Sequence, residues 1–201
     1  MKSEYLNWVA LHEAGHAVVA AFLKDSFSYV TIKPSPRKGT VSSNSRGYVF
    51  MTPYRGSGKS MSLPDLLDRQ MRFLQKRSVS NLAARATVDL HKRRLPKHRR
   101  NGFALELSYG IDEKGLEQLM TECFDTVRVS PEAFPEWRTQ MLDKARKIVA
   151  IPHVSAAIIT TAIELEREPV MKSKRVREIL KQSETPNCRS VNAGWSCGCV
   201  M

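Results

Sequence analysis

Two histidines lie four residues apart within an otherwise apolar segment, residues 8–23. Apolar and small side chains recur there at helical spacing, so the pattern predicts one helix, which we place at residues 3–23. Residues four apart share a helix face, and His12 and His16 can therefore reach the same metal ion. The alternative, a solvent-facing polar stripe, is weaker because two unpaired histidines and Glu13 would be costly to bury in an apolar helix.

Glu13 directly follows the first histidine in the pattern His-Glu-Ala-Gly-His, residues 12–16. On a helix, this pattern holds zinc with its two imidazoles, and its glutamate takes a proton from the attacking water. The sequence therefore predicts a hydrolytic zinc site, with His12 and His16 as ligands and Glu13 as general base. Such a site needs a third protein ligand, which the motif itself does not identify.

The remaining chain combines a short β-rich region with several helical patterns. Two β-rich runs, at 29–33 and 47–52, flank a loop rich in Pro, Ser and Gly and predict a ribbon. Ser62 and Pro64 form a typical helix start, and helical spacing continues to Leu90. Further helices are expected from about residue 112 and at 130–148, 153–167 and 173–181. The expected fold class is mainly α, a multi-helix domain with a small β-ribbon or sheet after the first helix.

The chain is strongly basic. Its 32 Lys and Arg against 20 Asp and Glu give a formal net charge of +12. Such a charge favours acidic partners and says nothing about the fold. The densest cluster is the basic run at 91–100, which has no Phe, Tyr or Trp on which bases could stack. We interpret this run as a solvated loop, and nucleic-acid binding through residues 91–100 is the alternative.

Cysteine usage and hydropathy favour an intracellular protein. Three of the four cysteines lie in residues 183–201, which we expect to form a flexible C-terminal tail rather than a disulfide scaffold. No apolar run approaches the roughly 18 residues that span a bilayer, so we expect a soluble, cytoplasmic protein without a membrane span. Residues 56–60 resemble part of a phosphate-binding loop, but Pro53 stands where the first glycine is required.

Residues 12–17, His-Glu-Ala-Gly-His-Ala, resemble the zinc-site helix of the FtsH-type ATP-dependent metalloproteases. The similarity continues in residues 29–34 and 46–49, which resemble the short ribbon after that helix. Residues 63–90 resemble the Leu-Gly-Gly-Arg helix of the same family. The resemblance covers roughly residues 5–180 and implies an FtsH-like peptidase domain, which we place at residues 1–182.

The resemblance also implies a third zinc ligand, an Asp at the start of a helix downstream of residues 63–90. Asp112 is the best match, because Leu116 and further apolar residues follow it at helical spacing. Glu113 and Glu106 are the substitutes. An ordinary N-cap is the alternative role for Asp112, since Asp is favoured at that position in any helix.

The departures from the family bear on function. Ala83 and Ala84 replace the paired glycines, Val88 replaces the first of two acidic residues, and the chain shows no Walker loop or membrane anchor. We therefore expect a zinc metalloendopeptidase that hydrolyses flexible or unfolded polypeptides without an ATPase of its own. A homo-oligomer and a separate ATPase partner remain open. The alternative function is a zinc-containing regulatory or nucleic-acid-associated binding protein that has lost peptidase activity.

Overall fold

The computed structural model describes residues 6–33, 47–53, 62–95, 103–122, 127 and 129–184, with the backbone alone at 103–108, 111 and 122. Within these residues the chain is mainly helical and contains a small antiparallel sheet of three strands, as the sequence predicts in outline. Short 3-10 helices follow α2, at Lys92–Arg94, and precede α4, at Pro131–Ala133. The main elements are, in chain order, α1 (Trp8–Phe22), β1 (Phe27–Thr31), β2 (Tyr48–Met51), α2 (Leu63–His91), α3 (Phe103–Glu122), α4 (Phe134–Val149), α5 (Pro152–Arg167), β3 (Val170–Lys172) and α6 (Ser173–Ser183).

Helix α1 lies at the centre of the core. The Asn7 side chain caps it by accepting a hydrogen bond from the Val9 amide at 2.9 Å. The helix therefore starts at Trp8, later than the start at residue 3 that the sequence suggests. Apolar and small residues occupy nearly every position, and α2, α5 and α6 bury the helix on nearly all sides. Such complete burial fixes the rotation of α1 and with it the direction of its few polar side chains.

The close approach of α1 to α2 requires Gly15. A Cβ atom at this position would lie 2.5 Å from Thr87 Oγ1 and 3.1 Å from the Ala84 Cα, which are clashing and very tight distances. Small residues on both helices therefore bring the backbone of α2 against the histidine face of α1. The glycine inside the His-Glu-Ala-Gly-His pattern is thus explained by helix packing.

The sheet has the strand order β2-β1-β3, and both pairs are antiparallel. Val30 in the middle of β1 pairs with Val49 on one side and Met171 on the other. The β1–β2 pair confirms the predicted ribbon, with bounds shifted by one or two residues. The third strand was not predicted, because its three residues, Val170–Lys172, are too few to show an alternating pattern between two helices.

Helix α3 departs from the expectation. It starts at Phe103 and runs through Gly110 without a break, so Asp112 lies in its interior. The prediction that Asp112 begins a helix is wrong, and so is its alternative role as an N-cap. A single glycine lowers helix stability by only about 1 kcal/mol, and the burial of Leu116 and Met120 against the core offsets that cost.

Several predictions concern residues that the structure does not describe. They include the phosphate-loop-like segment at 56–60, the second half of the basic run (96–100) and nearly all of the C-terminal tail. Among the described helices, none alone is long and apolar enough to cross a bilayer, and one pair, Pro131–Val149 with Pro152–Arg167, meets the length and composition criteria together but is bent by 86°.

Candidate metal centre

Side chains from α1 and α3 converge at the face where α1 meets α2. His12 Nε2 lies 3.2 Å from Asp112 Oδ2 and 3.3 Å from His16 Nε2, and His16 Nε2 lies 3.6 Å from the same carboxylate oxygen. Within the described part of the chain, these three residues form the one cluster of His, Cys, Asp or Glu that could hold a metal ion. The structure thus brings together the three residues that the sequence proposed as ligands.

The dimensions of this triangle fit a zinc ion. Ligand atoms about 2.05 Å from a tetrahedral zinc lie about 3.3 Å from one another. The three observed separations are 3.2, 3.3 and 3.6 Å. Asp112 Oδ2 is buried and accepts no well-formed hydrogen bond despite its two close nitrogen neighbours. A shared cation between the three atoms would satisfy this oxygen, so the residues present fit the metal that the motif implies.

The α2 backbone fixes the orientation of His16. The ring Nδ1 lies 2.8 Å from the carbonyl oxygen of Ser80. A carbonyl oxygen can only accept, so Nδ1 carries the proton and donates it. The Nε2 atom, which faces His12 and Asp112, is therefore the position left for a metal. Hydrogen bonds of this kind commonly hold a metal-binding histidine in its tautomer and its ring orientation.

Glu13 is buried next to the triangle with only 5% of its surface exposed. A Cβ atom on Gly47 would lie 2.7 Å from Glu13 Cγ, so the chain just before β2 packs directly on this side chain. Its Oε2 atom is buried and has no hydrogen-bond partner in the described structure. Burial raises the pKa of Glu13, with Asp112 adding to the rise and the two histidines opposing it. A buried carboxylate of raised pKa is suited to accept and return a proton near neutral pH.

The charges of the triangle are strongly coupled. Burial by itself would lower the pKa of His16, but the carboxylate of Asp112, with smaller contributions from Glu13 and the Ser80 carbonyl, raises it to about 9. Burial would raise the pKa of Asp112, but the adjacent His12 and His16 hold it well below its usual range. Without a metal the site therefore holds a proton on His16 at neutral pH, paired with an ionised Asp112.

The substitute ligand Glu113 points elsewhere. Arg85 Nη1 on α2 donates to Glu113 Oε1 at 2.8 Å, and Arg138 Nη1 on α4 donates to Glu113 Oε2 at 2.9 Å. Both carboxylate oxygens thus bind arginine, and neither faces the histidines. We call the set of Arg85, Glu113 and Arg138 the arginine clamp. It joins α3 to α2 and α4 one residue after Asp112. Glu106, the other substitute, also lies in α3, and its side chain is outside the described part.

One residue at the site carried no signal in the sequence. The Tyr109 ring stacks on His12 with ring centroids 6.3 Å apart and an interplanar angle of 20°. The guanidinium carbon of Arg85 lies 5.5 Å from the centre of the same tyrosine ring. Tyr109 therefore connects the arginine clamp to the first histidine. Tyr109 lies three residues before Asp112, so the two share a helix face. The sequence does not indicate this, because the predicted helix starts at about residue 112 and leaves Tyr109 outside it.

No family model matches this chain, and no curated protein matches it at a significant level. The similarity to the FtsH-type proteases therefore depends on the motifs in residues 12–17, 29–34, 46–49 and 63–90 alone.

Proposed function

We propose that this protein is a zinc-dependent metalloendopeptidase whose core is an FtsH-like peptidase domain. The observation that carries the proposal is the buried Glu13 carboxylate beside three ligand atoms spaced as a tetrahedral zinc site requires. Two histidines and one carboxylate also form the donor set of Fe(II) oxygenases. The buried Glu13, which lies between the two histidines in the sequence, favours hydrolysis over oxygenase chemistry. A hydrolase needs a general base at this place, and an oxygenase does not.

His12, His16 and Asp112 would hold the ion. A zinc ion bound there supplies a Lewis acid that polarises the scissile carbonyl and makes water more acidic. Glu13 takes a proton from the attacking water and passes it to the leaving amine, so its side chain changes protonation state twice in each turnover. The raised pKa of Glu13 supports the first transfer, because it makes the carboxylate a stronger base, and the packing of Gly47 against its side chain holds the carboxylate in place.

The substrates we propose are polypeptides that are already extended. Cleavage requires the peptide bond to meet Glu13 and the metal in a defined geometry, and a folded domain cannot present its backbone in this way. We expect this protein to cleave casein without ATP and to leave a stable folded domain intact. Cleavage of the folded domain only on addition of ATP would contradict this expectation and would indicate an ATPase partner or nucleotide binding.

The decisive test compares Glu13→Gln with the parent protein. The amide keeps the shape of the side chain and removes its basicity, so zinc content should stay near one equivalent while casein hydrolysis falls by about 100-fold or more. Glu117→Gln, an exposed substitution on α3, is the matched control and should change neither quantity. Undiminished cleavage by Glu13→Gln would show that another group is the base or that the activity is a contaminant.

The same experiment addresses the alternative function. A regulatory or nucleic-acid-associated protein that retains the zinc helix would bind the metal but cleave nothing, whether Glu13 is present or not.

The structure describes the first half of the basic run, where His91 Nε2 lies 3.2 Å from Ser155 Oγ and Leu95 is buried. This half is anchored to the domain, and its exposed cations lie in the 3-10 helix Lys92–Arg94.

A further inference from the structure

A cavity of about 390 Å³ lies at the C-terminal end of α1, away from the metal centre. Its walls are the turn between α1 and β1, the residues just after β2, and one face of α2. Arg69, Arg72, Phe73 and Lys76 form the α2 wall. They are spaced at i, i+3, i+4 and i+7, which places them on one side of the helix. The helix therefore presents three cations and one aromatic ring to the same space.

The cavity is electropositive. Four of the nine lining residues are Lys or Arg and one is Asp, a net charge of 4 − 1 = +3. The single acid, Asp25, is buried and already paired: Arg77 Nε and Nη2 donate to its two carboxylate oxygens at 2.8 and 3.1 Å. Arg72 pairs with the exposed Asp68 one turn earlier. Crowding like charges around one cavity is unfavourable, and a bound anion would relieve it.

Lys24 at the rim has an unusual backbone. It follows the C-cap of α1 with φ at 56°, the left-handed region that favours glycine. The Lys24 amide donates to the Ala21 carbonyl and the Asp25 amide donates to the Ala20 carbonyl, which is the Schellman ending of a helix. Glycine is the usual residue at this position, so a lysine here is locally unfavourable. Lys24 is one of the residues that line the cavity, so a cationic residue occupies this strained position where it borders the basic space.

Strand β2 runs from the site of Glu13 to the cavity, so its length gives the distance between them. Gly47, just before the strand, packs on Glu13, and Thr52, just after it, lines the cavity. Five residue steps of extended chain span about 17 Å. An extended polypeptide with its scissile bond at Glu13 would therefore reach the cavity about five residues from that bond.

We propose that this cavity binds the carboxylate groups of an acidic segment in the polypeptide substrate, about five residues from the bond that is cleaved. The assignment of the occupant rests on the proposed peptidase function. The net charge of +12 suggests that the protein prefers acidic partners. The cavity is a specific place where such a partner could bind, and none of its lining residues belongs to the basic run at 91–100. A free phosphate offers similar oxygen chemistry, and the experiment separates the two.

The first measurement is binding without turnover, in the Glu13→Gln protein. A short labelled Glu-rich peptide should bind at least about tenfold more tightly than the same peptide with every Glu replaced by Gln, with the difference fading at high salt. Lys24→Gly and Lys76→Gln should each weaken binding of the acidic peptide by about three- to fivefold. Lys144→Gln removes the same charge from an exposed site on α4, which contributes nothing to the cavity, and should leave binding unchanged.

Lys24→Gly separates binding from folding. Glycine suits the left-handed position, so this variant should melt at the same temperature as the parent or higher while it loses affinity. Equal binding by the parent and by both cavity variants would overturn the proposal. Inorganic phosphate that displaces the peptide at a concentration below the peptide's own Kd would also overturn it, by identifying a phosphate site instead.

The second measurement is cleavage by the zinc-loaded parent. Peptides with Glu about five residues from the cleaved bond should show a lower KM than their Gln counterparts at equal kcat, and Lys76→Gln should remove the difference. A preference retained in Lys76→Gln and Lys24→Gly would contradict the cavity assignment. The two proposals fail separately: if the acidic peptide binds at the cavity but the parent cleaves nothing, the peptidase function is wrong and the anion site stands.

Discussion

The two helices that form the candidate metal centre hold their proposed ligands by different means. Helix α1 has twelve buried residues and is surrounded by other helices. Among the described side chains of helix α3, Leu116 and Met120 are the fully buried apolar ones. Packing therefore positions His12 and His16, whereas we expect the register of α3, and with it Asp112, to depend on the arginine clamp as well as on packing. Packing is insensitive to salt, and half-exposed ion pairs are weakened by it.

This difference predicts that the two halves of the site respond differently to substitution and to solution conditions. Changes on α1 should remove the metal without disturbing the fold, because the helix keeps its many apolar contacts. Changes that affect α3 should be graded, because the helix can shift while the rest of the core stays in place.

The largest effect is expected from removal of a ligand on α1. His12→Ala and His16→Ala should each reduce zinc after dialysis from about one equivalent to near zero, because alanine leaves no donor atom in place of the imidazole, whereas asparagine at position 112 keeps an oxygen. The far-UV circular dichroism should stay that of the parent. His153→Ala, on α5 and outside the metal cluster, is the control. Full zinc content in both ligand variants would mean that the metal lies elsewhere.

A smaller but still large effect is expected on α3. Asp112→Asn should weaken zinc binding by about 100-fold or more, because loss of a ligand should exceed the 10- to 100-fold effect of losing its outer partners. Glu113→Gln should cost far less, because this side chain faces two arginines and not the metal. Competition with a chelator measures both affinities. If Glu113→Gln were the more damaging of the two, the register of α3 at the site would be wrong by one residue.

The α1 half of the site could be predicted from the sequence because its pattern is local. Two histidines four residues apart share a helix face wherever the helix lies, and Glu13 follows from the same spacing. Asp112 was predicted from the family resemblance, and its proximity to both histidines agrees with that choice. Its helical context is predicted wrongly: the sequence pattern places a helix start at about residue 112, whereas α3 begins at Phe103 and continues through Gly110.

Features built from distant residues could not be predicted. The arginine clamp joins residues 85, 113 and 138, and the basic cavity joins Lys24 to an α2 face that begins 45 residues later. Neither spacing has a local signature. The third strand is too short to show a period. The local pattern therefore predicts the shared helix face of His12 and His16, and it does not predict the environment that surrounds them.

The coupling between the two halves should appear as a pH dependence of zinc binding. Asp112 raises the pKa of His16 to about 9, and zinc must displace that proton to bind Nε2. Deprotonation of His16 should therefore raise the apparent zinc affinity by about tenfold per pH unit between pH ~6.5 and ~9. In Asp112→Asn the pKa of His16 should be lower, so the rise of zinc affinity with pH should level off at a lower pH than in the parent. Chelator competition at several pH values, corrected for the protonation of the chelator, measures the slope.

The same protonation predicts a trend in the stability of the metal-free protein. The pKa of His16 is raised above that of the unfolded chain, so its protonation stabilises the fold fully below pH ~6.5, and this contribution is lost as pH rises through about 9. The melting temperatures of the zinc-loaded and metal-free proteins should therefore diverge as pH increases. A difference that narrows over this range would contradict the assigned direction of the His16 shift.

The smallest effect, and the sharpest test of the contrast between α1 and α3, is expected from the arginine clamp. Arg138→Gln removes one of the two partners that hold Glu113, and a half-exposed ion pair contributes at most about 1 kcal/mol, so zinc affinity should fall by no more than about fivefold. Arg138→Lys should restore part of the loss. Arg146→Gln breaks an exposed pair with Asp143 on the same helix and should have no effect.

The signature that distinguishes the clamp from general destabilisation is its dependence on salt. The difference in affinity between the parent and Arg138→Gln should shrink as ionic strength rises, because salt screens the Arg138–Glu113 pair in the parent and has no such pair to screen in the variant. Cobalt substituted for zinc provides a second readout, since its visible absorption responds to ligand geometry. We expect Arg138→Gln to alter this absorption at low salt, whereas Arg146→Gln should not. An affinity difference that is independent of salt would mean that packing, and not the clamp, holds Asp112 in position, and the two helices would then hold their ligands in the same way.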